Sequence, residues 1–303
     1  MTTMTAPATS TPLSPGHLLE LIALGALWGG SFLFMRIAAP EFGPIALIAL
    51  RVTLAALLML PLLLHASARL AWRANWWPIA VVGIFNSALP FCLFAYATLA
   101  LPAGFTAVLN ASAALWGALL GWSFLGQKVQ ARTALGLALG LGGVVVMVWN
   151  KLATDVGTNA PALAIAAAVL ATALYALCAH YTRRRLAGVS PLVVAAGSQV
   201  WAALVLLLPG WWLWPALPPS PTAWAAAIAL GVFSTAVAYV LYFRLIANIG
   251  ASRAMTVTLL VPLFGVVLGA VVLGEGMSFT SAIGAAAVLA GTGLALGLRR
   301  MQQ

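Results

Sequence analysis

Ten apolar runs, each about as long as a bilayer is thick, follow one another through this chain: 18–37, 44–64, 76–97, 103–124, 131–149, 161–182, 191–213, 222–245, 252–273 and 279–298. A helix rising 1.5 Å per residue needs about 20 largely apolar residues to cross the hydrocarbon of a membrane, and each run meets that length. The loops between them are short. Pro40, Pro44, Pro102, Pro161, Pro191 and the proline cluster at 215–221 stand where helix breakers belong. Roughly two-thirds of the chain would lie in lipid, so no separate soluble catalytic or nucleotide-binding domain fits in the rest. Thr2 to Pro15 is a Thr/Ser/Pro/Ala tail without a basic n-region, and the first apolar run starts only at Leu18, which argues against a cleaved leader.

The runs come in two related sets of five. Shifted forward by 148 positions, Ala103, Gly117, Leu120, Gly121, Leu125, Gly126, Ala134, Gly136 and Gly143 fall without a gap on Ala251, Gly265, Leu268, Gly269, Leu273, Gly274, Ala282, Gly284 and Gly291. Trp76, Gly83, Phe85 and Ala88 meet Trp224, Gly231, Phe233 and Ala236 at the same offset, and Arg36 and Pro44 meet Arg183 and Pro191 at an offset of 147. Such self-similarity marks an internal duplication. It predicts a cytoplasmic tail at 1–17, a first repeat at 18–149, a linker at 150–160, a second repeat at 161–298 and a second cytoplasmic tail at 299–303.

Basic residues set the orientation. With the N-terminus in the cytoplasm, one side receives Arg69, Arg73, Lys128, Arg132, Arg183, Arg184, Arg185, Arg244, Arg253, Arg299 and Arg300, whereas the other receives Arg36 and Lys151. The positive-inside rule then places both termini in the cytoplasm. Five spans are an odd number, so the second repeat enters the membrane from the opposite face. The expected fold is therefore all-α and integral to the membrane, ten transmembrane helices arranged as two inverted five-helix repeats around a central cavity. Small-xxx-small pairs at Gly25/Gly29, Gly117/Gly121, Gly136/Gly140, Gly265/Gly269 and Gly293/Gly297 offer close helix contacts.

Composition excludes several classes of function. Charged residues are 6% and apolar ones 64% of the chain, with a mean hydropathy of +1.09, against roughly 25% and 45–50% in soluble domains. The net charge of +10 sits in short clusters between apolar runs and never lines a face, so no nucleic-acid partner is expected. Cys92 and Cys178 lie inside apolar runs without metal or redox spacing. No metal and no cofactor is implied.

The four acids, Glu20, Glu41, Asp155 and Glu275, fall at span ends or in loops, and no carboxylate dyad, HExxH or phosphate-loop motif is present. His17 and His65 lie at span edges, and His180 reads as an interface residue near the inner end of span six. A polytopic membrane enzyme based on His180 is the alternative of a different class. The same scarcity of acids removes the usual proton relay, the carboxylate-assisted sodium site and a countercharge for a cationic drug. What remains is a set of neutral polar and aromatic groups suited to a zwitterionic or amphipathic small molecule.

Across the repeat Asn110 pairs with Thr258, Asn86 with Ser234, Trp28 with Tyr175, Ser31 with Cys178, Phe91 with Tyr239 and Phe94 with Tyr242. Polar side chains at mid-span are costly unless they face a cavity or another helix. The expected substrate cavity is walled by spans one, three, four, six, eight and nine. Asn86, Asn110, Tyr175, Tyr239 and Thr258 would hold the polar end of a substrate, with Ser31 on the same helix face as Trp28, and Trp28 and Phe32 as apolar walls. The competing use of these residues is bridging between helices or anchoring at the lipid interface. Arg51 lies seven residues into span two and has three possible uses: snorkelling, bonding carbonyls or Glu41, or holding a substrate carboxylate, with the structural ones ranked first. Arg183–Arg185 is a topology determinant with room for anionic lipid contact.

Leu24–Ser31 (LGALWGGS), Pro44 with Leu50 and Arg51, and the endings Leu125–Lys128 (LGQK) and Leu273–Gly276 (LGEG) resemble the drug/metabolite transporter superfamily in its ten-helix form with two EamA-type repeats. The likeness covers essentially the whole chain. In that family Glu commonly follows the Leu-Gly; Glu275 fits and Gln127 departs. The resemblance implies a bacterial inner-membrane secondary transporter, a permease exporting small metabolites by alternating access, without an enzyme activity. It looks most like the aromatic amino acid exporters, so aromatic or other neutral amino acids are the expected substrates. Threonine/homoserine export, a broad drug/metabolite permease and a phosphosugar-type exchanger are alternatives within the superfamily. A passive or weakly coupled cycle, membrane lipid as the surrounding partner and a monomeric state complete the expectation.

Overall fold

The structure, a computed structural model, describes residues 14–125, 130–154 and 160–295. Every regular element among them is helical. We number them α1 (Pro15–Phe42), α2 (Pro44–Leu64), α3 (Ala66–Ala74), α4 (Trp76–Ala100), α5 (Ala103–Ser123), α6 (Ala131–Thr154), α7 (Ala160–Arg185), α8 (Pro191–Trp212), α9 (Pro221–Ile249), α10 (Val257–Leu273) and α11 (Phe279–Ala295). Eight of these, all but α3, α10 and α11, are long and apolar enough to cross a membrane. The chain is a multi-pass membrane protein.

Local chemistry explains where the helices begin. Ser14 Oγ accepts from His17 N at 3.3 Å and Ser220 Oγ from Ala223 N at 3.2 Å, each followed by a proline in the first helical turn. These hydroxyls satisfy amides that a helix start leaves unpaired. Between α1 and α2 the chain turns through Gly43 at φ 74°, and between α9 and the short turn Ala251–Ala254 through Gly250 at φ 84°. Both angles are costly for a residue with a Cβ.

The expected ninth and tenth spans, 252–273 and 279–298, take shape as 17-residue helices. At α10 the reason is local: Thr256 and Thr258 donate their hydroxyls to the carbonyls of Arg253 and Met255 at 2.7 and 2.8 Å. Such side-chain bonds compete with the helical ladder, and α10 begins only at Val257. The end of the tenth expected span, Gln127 and both expected tails fall outside the described residues.

The closest helix contacts use glycine where helices must almost touch. A Cβ on Gly143 of α6 would sit 2.6 Å from Gly284 O of α11, and one on Gly291 would strike Gly140 N. On α1, a Cβ on Gly29 would lie 2.6 Å from Val261 O of α10. Close backbone approach through small residues is how helices associate where lipid removes the hydrophobic drive. One expected glycine departs: Gly117 has nothing within 4 Å of a would-be Cβ, so that side of it meets no neighbouring helix. Gly293 has only Leu259 Cδ1 at 3.8 Å, a looser contact than the small-xxx-small pattern implies. Spacing along one helix cannot say which face meets a neighbour.

Helices α6 and α11 form one such pair, α2 packs on α8, and α5 packs on α10. Helix α1 packs on α10 while its repeat counterpart α7 packs on α5, the counterpart of α10. Ion pairs mark the two ends of α1. Near its start Glu20 pairs with Arg244 of α9 at 3.0 Å; near its end Arg36 meets Glu275 at 3.4 Å and Glu41 binds Ser220. A packed cluster including Phe32, Met35, Ala38, Phe42, Phe94, Leu101 and Phe105 fills the bundle toward the Arg36 end.

Candidate functional site

Helices α4 and α9 each contain one wide π-turn, Gly83–Ala88 and Val232–Val237, at corresponding places in the two repeats. A π-turn adds a residue to the helical circuit and re-aims the side chains beside it. Here those side chains are Asn86 and Ser87 in one repeat, Ser234 and Thr235 in the other. No periodicity in the sequence announces either turn.

Asn86 and Ser234 enter the wall of a central cavity of about 340 Å³. All eight residues expected to form a substrate site line it. Trp28, Ser31 and Phe32 come from α1, Asn86 from α4 and Asn110 from α5; Tyr175 lies on α7, Tyr239 on α9 and Thr258 on α10. Five of the six repeat pairs contribute both members. Ser31 is the exception, because Cys178 is buried in a different cluster.

The aromatic groups pack against one another rather than lying loose. Trp28 and Tyr242 have ring centroids 5.0 Å apart, Phe32 and Phe94 5.6 Å at an interplanar angle of 86°, and Phe94 and Tyr175 5.8 Å. These are separations at which ring quadrupoles attract. Toward the Arg36 end the lining residues Phe32, Met35 and Phe94 are buried; Trp28, Asn110, Tyr242 and Thr258 are half-buried.

The polar groups are not equivalent. Ser31 donates its hydroxyl to Trp28 O at 2.6 Å and Thr258 to Met255 O at 2.8 Å, so toward the cavity both can only accept. Neither the Asn86 nor the Asn110 side chain has a hydrogen-bond partner among the described residues, which leaves both amides able to donate and accept. Ser234 is 1% exposed, and its hydroxyl has no partner among the described residues.

Arg51 also lines the cavity, adding α2 to the walls expected from the sequence. It neither snorkels nor reaches Glu41: Nε donates to Thr235 Oγ1 at 2.9 Å, and the guanidinium carbon lies 3.6 Å from the centroid of Phe91. Glu41 is occupied at Ser220, accepting from N at 2.5 Å and from Oγ at 2.8 Å. Met35 and Val261 complete the apolar wall; depth along a span is legible from sequence, rotation about its axis is not. His180 Nε2 donates to Gly117 O at 3.0 Å, joining α7 to α5 outside the cavity. Glu275 holds the start of α5, accepting from Ala103 N at 2.8 Å, a favourable place for a negative charge. No group of His, Cys, Asp and Glu able to hold a metal ion occurs among the described residues.

The chain matches the model of the EamA-like transporter family twice, over residues 16–149 and again over 162–297. It belongs to that family. This EamA-like transporter is 23% identical to the "Uncharacterized transporter YvbV" of Bacillus subtilis, the match covering 86% of this chain and 85% of that one. It is 23% identical to a "Probable amino-acid metabolite efflux pump" of Salmonella typhimurium, over 91% and 92% of the two chains. A solved crystal structure superposes with a TM-score of 0.64 at 21% identity, covering 96% of this chain and 100% of the other, a likeness of fold.

Proposed function

We propose that this EamA-like transporter exports small amphipathic metabolites across the bacterial inner membrane, aromatic or other neutral amino acids first among them. The two repeats, 18–149 and 161–298, form five-helix halves of opposite orientation with both termini in the cytoplasm, and they rock around a midplane site. The observation that carries this reading is the cavity, walled by paired residues from both repeats, with unengaged amides at Asn86 and Asn110 and an aromatic lining. A neutral amphipathic molecule finds there both a surface for its rings and partners for its polar end. The sealed Arg36 end and the half-exposed residues toward Glu20 and Arg244 suit a carrier open on one side. The name of the Salmonella relative supports the substrate class.

Proteoliposomes containing the purified protein test the proposal. They take up labelled phenylalanine or tryptophan, unlabelled aromatics compete, and an imposed pH gradient drives less than a tenfold accumulation. Uptake at the level of empty liposomes for every amino acid tried would remove the substrate class.

A further inference from the structure

The buried hydrogen bond of Arg51 has a double. Arg51 of α2 donates to Thr235 in the π-turn of α9 at 2.9 Å; Gln199 of α8 donates through Nε2 to Ser87 in the π-turn of α4, also at 2.9 Å. Ser87 falls on Thr235 at the offset of 148, and Gln199 stands one position past Ser198, on which Arg51 falls at the offset of 147 that joins Pro44 to Pro191. A similar joint is thus built in each repeat, once with a neutral amide and once with a cation. A neutral amide suffices to donate to a π-turn hydroxyl from this place in the fold, so the joint alone does not call for the charge of Arg51.

Its surroundings say what. Nε is the one guanidinium nitrogen with a hydrogen-bond partner among the described residues, which leaves the terminal nitrogens to the cavity that Arg51 lines. Glu20, Glu41 and Glu275 are engaged with Arg244, Ser220 and Arg36, so none of them neutralises it. Gln199 is fully buried and lies outside the cavity wall. A cation at membrane depth without a counterion is costly, and a guanidinium presents a planar fork that matches a carboxylate in two parallel bonds.

We infer that Arg51 is the anion anchor of the cavity and that substrates of this transporter carry a carboxylate. Asn86, Asn110 and Ser234 complete the polar pocket, and the rings of Trp28, Phe94 and Tyr242 take the apolar body. An amine on the substrate is optional, because no acid among the described residues lines the cavity to require one. The inference rests on the cavity being the substrate site, and it deepens that reading from amphipathic molecules to amphipathic carboxylates.

The experiment compares two nearly isosteric probes, 3-phenylpropanoate and 3-phenylpropanamide, titrated into the purified full-length protein with intrinsic tryptophan fluorescence as readout. The acid binds at least tenfold more tightly than the amide. Arg51→Gln retains the joint to Thr235 in the way Gln199 holds Ser87, keeps its melting behaviour, and binds the two probes equally. Equal affinities in the unaltered protein, binding of neither probe, or an acid preference that survives in Arg51→Gln would each overturn the anchor. The comparison in the unaltered protein decides the matter even where the variant fails to fold. Acid-selective binding without any amino acid uptake would sink the transport reading and leave the anchor standing.

Discussion

Asn110 shows how much one side chain can do in this cavity. It stands one turn beyond the buried Thr106, which spends its hydroxyl on Pro102 O at 3.0 Å, yet its own side-chain amide has no partner among the described residues. Replacing Asn110 by Leu removes a donor and an acceptor while keeping the branching and heavy-atom count of the side chain. Loss of a hydrogen bond to a bound polar group costs about 1–3 kcal/mol, so uptake of labelled phenylalanine falls about tenfold or more while the yield of folded protein is unchanged. Unaltered rates would take Asn110 out of the site. The residues of this wall were legible because amides and tyrosines are conspicuous in spans that are otherwise apolar, and because the duplication presented them in pairs. Arg51 was visible as an intramembrane charge, but its neighbours Thr235 and Phe91 lie 184 and 40 positions away, and no local pattern reports such a meeting. Glu275 hid its role for the same reason, since the amide that it caps is 172 residues distant.

Helices α6 and α11 carry a different lesson. Their contact surface is made by absence: Gly136, Gly140 and Gly143 face Gly284 and Gly291, and backbone meets backbone. Gly291→Val would force the pair apart, and overpacking of this kind costs about 1–3 kcal/mol. The melting midpoint of the detergent-solubilised protein drops clearly for Gly291→Val and hardly at all for Gly117→Val, which meets open space. Equal effects at the two positions would refute the distinction. The small-xxx-small pattern marked both glycines alike, because a motif on one helix is silent about the neighbour that uses it. The π-turns of α4 and α9 escaped for a related reason: one extra residue in a circuit leaves no trace in an apolar run that lacks a polar face.

At the scale of the whole molecule, α1 is tied at one end to α9 through Glu20 and Arg244, and at the other to Glu275 and Ser220 through Arg36 and Glu41. A carrier that works by rocking must release one set of ties to open that end. Cysteines at Glu41 and Ser220, introduced into a Cys92→Ala, Cys178→Ala background and joined by a cleavable bifunctional thiol reagent, hold the Arg36 end shut. Uptake by the joined protein falls to the level of empty liposomes and returns when the link is cut. Full activity while joined would show that this end need not part. The helical architecture and the two-part organisation could be read from ten apolar runs and a repeat offset of 147 to 148 positions, since lipid leaves a chain few choices; which end packs more tightly depends on contacts among distant spans.

The unequal joints of Arg51 and Gln199 have an electrical side. The membrane potential acts on every charge within the bilayer, by about 2.3 kcal/mol per elementary charge per 100 mV if the charge crosses the whole field. If access to the cavity switches sides as proposed, the field redistributes across Arg51 even where the residue itself barely moves. Empty, the cavity has one positive charge that no acid among the described residues compensates; filled by a simple carboxylate it has none, and filled by a zwitterion it has one again. The duplicated fold would be electrically balanced with two glutamines. With one arginine, voltage weighs the turning of the empty carrier differently from that of a carrier loaded with a simple acid.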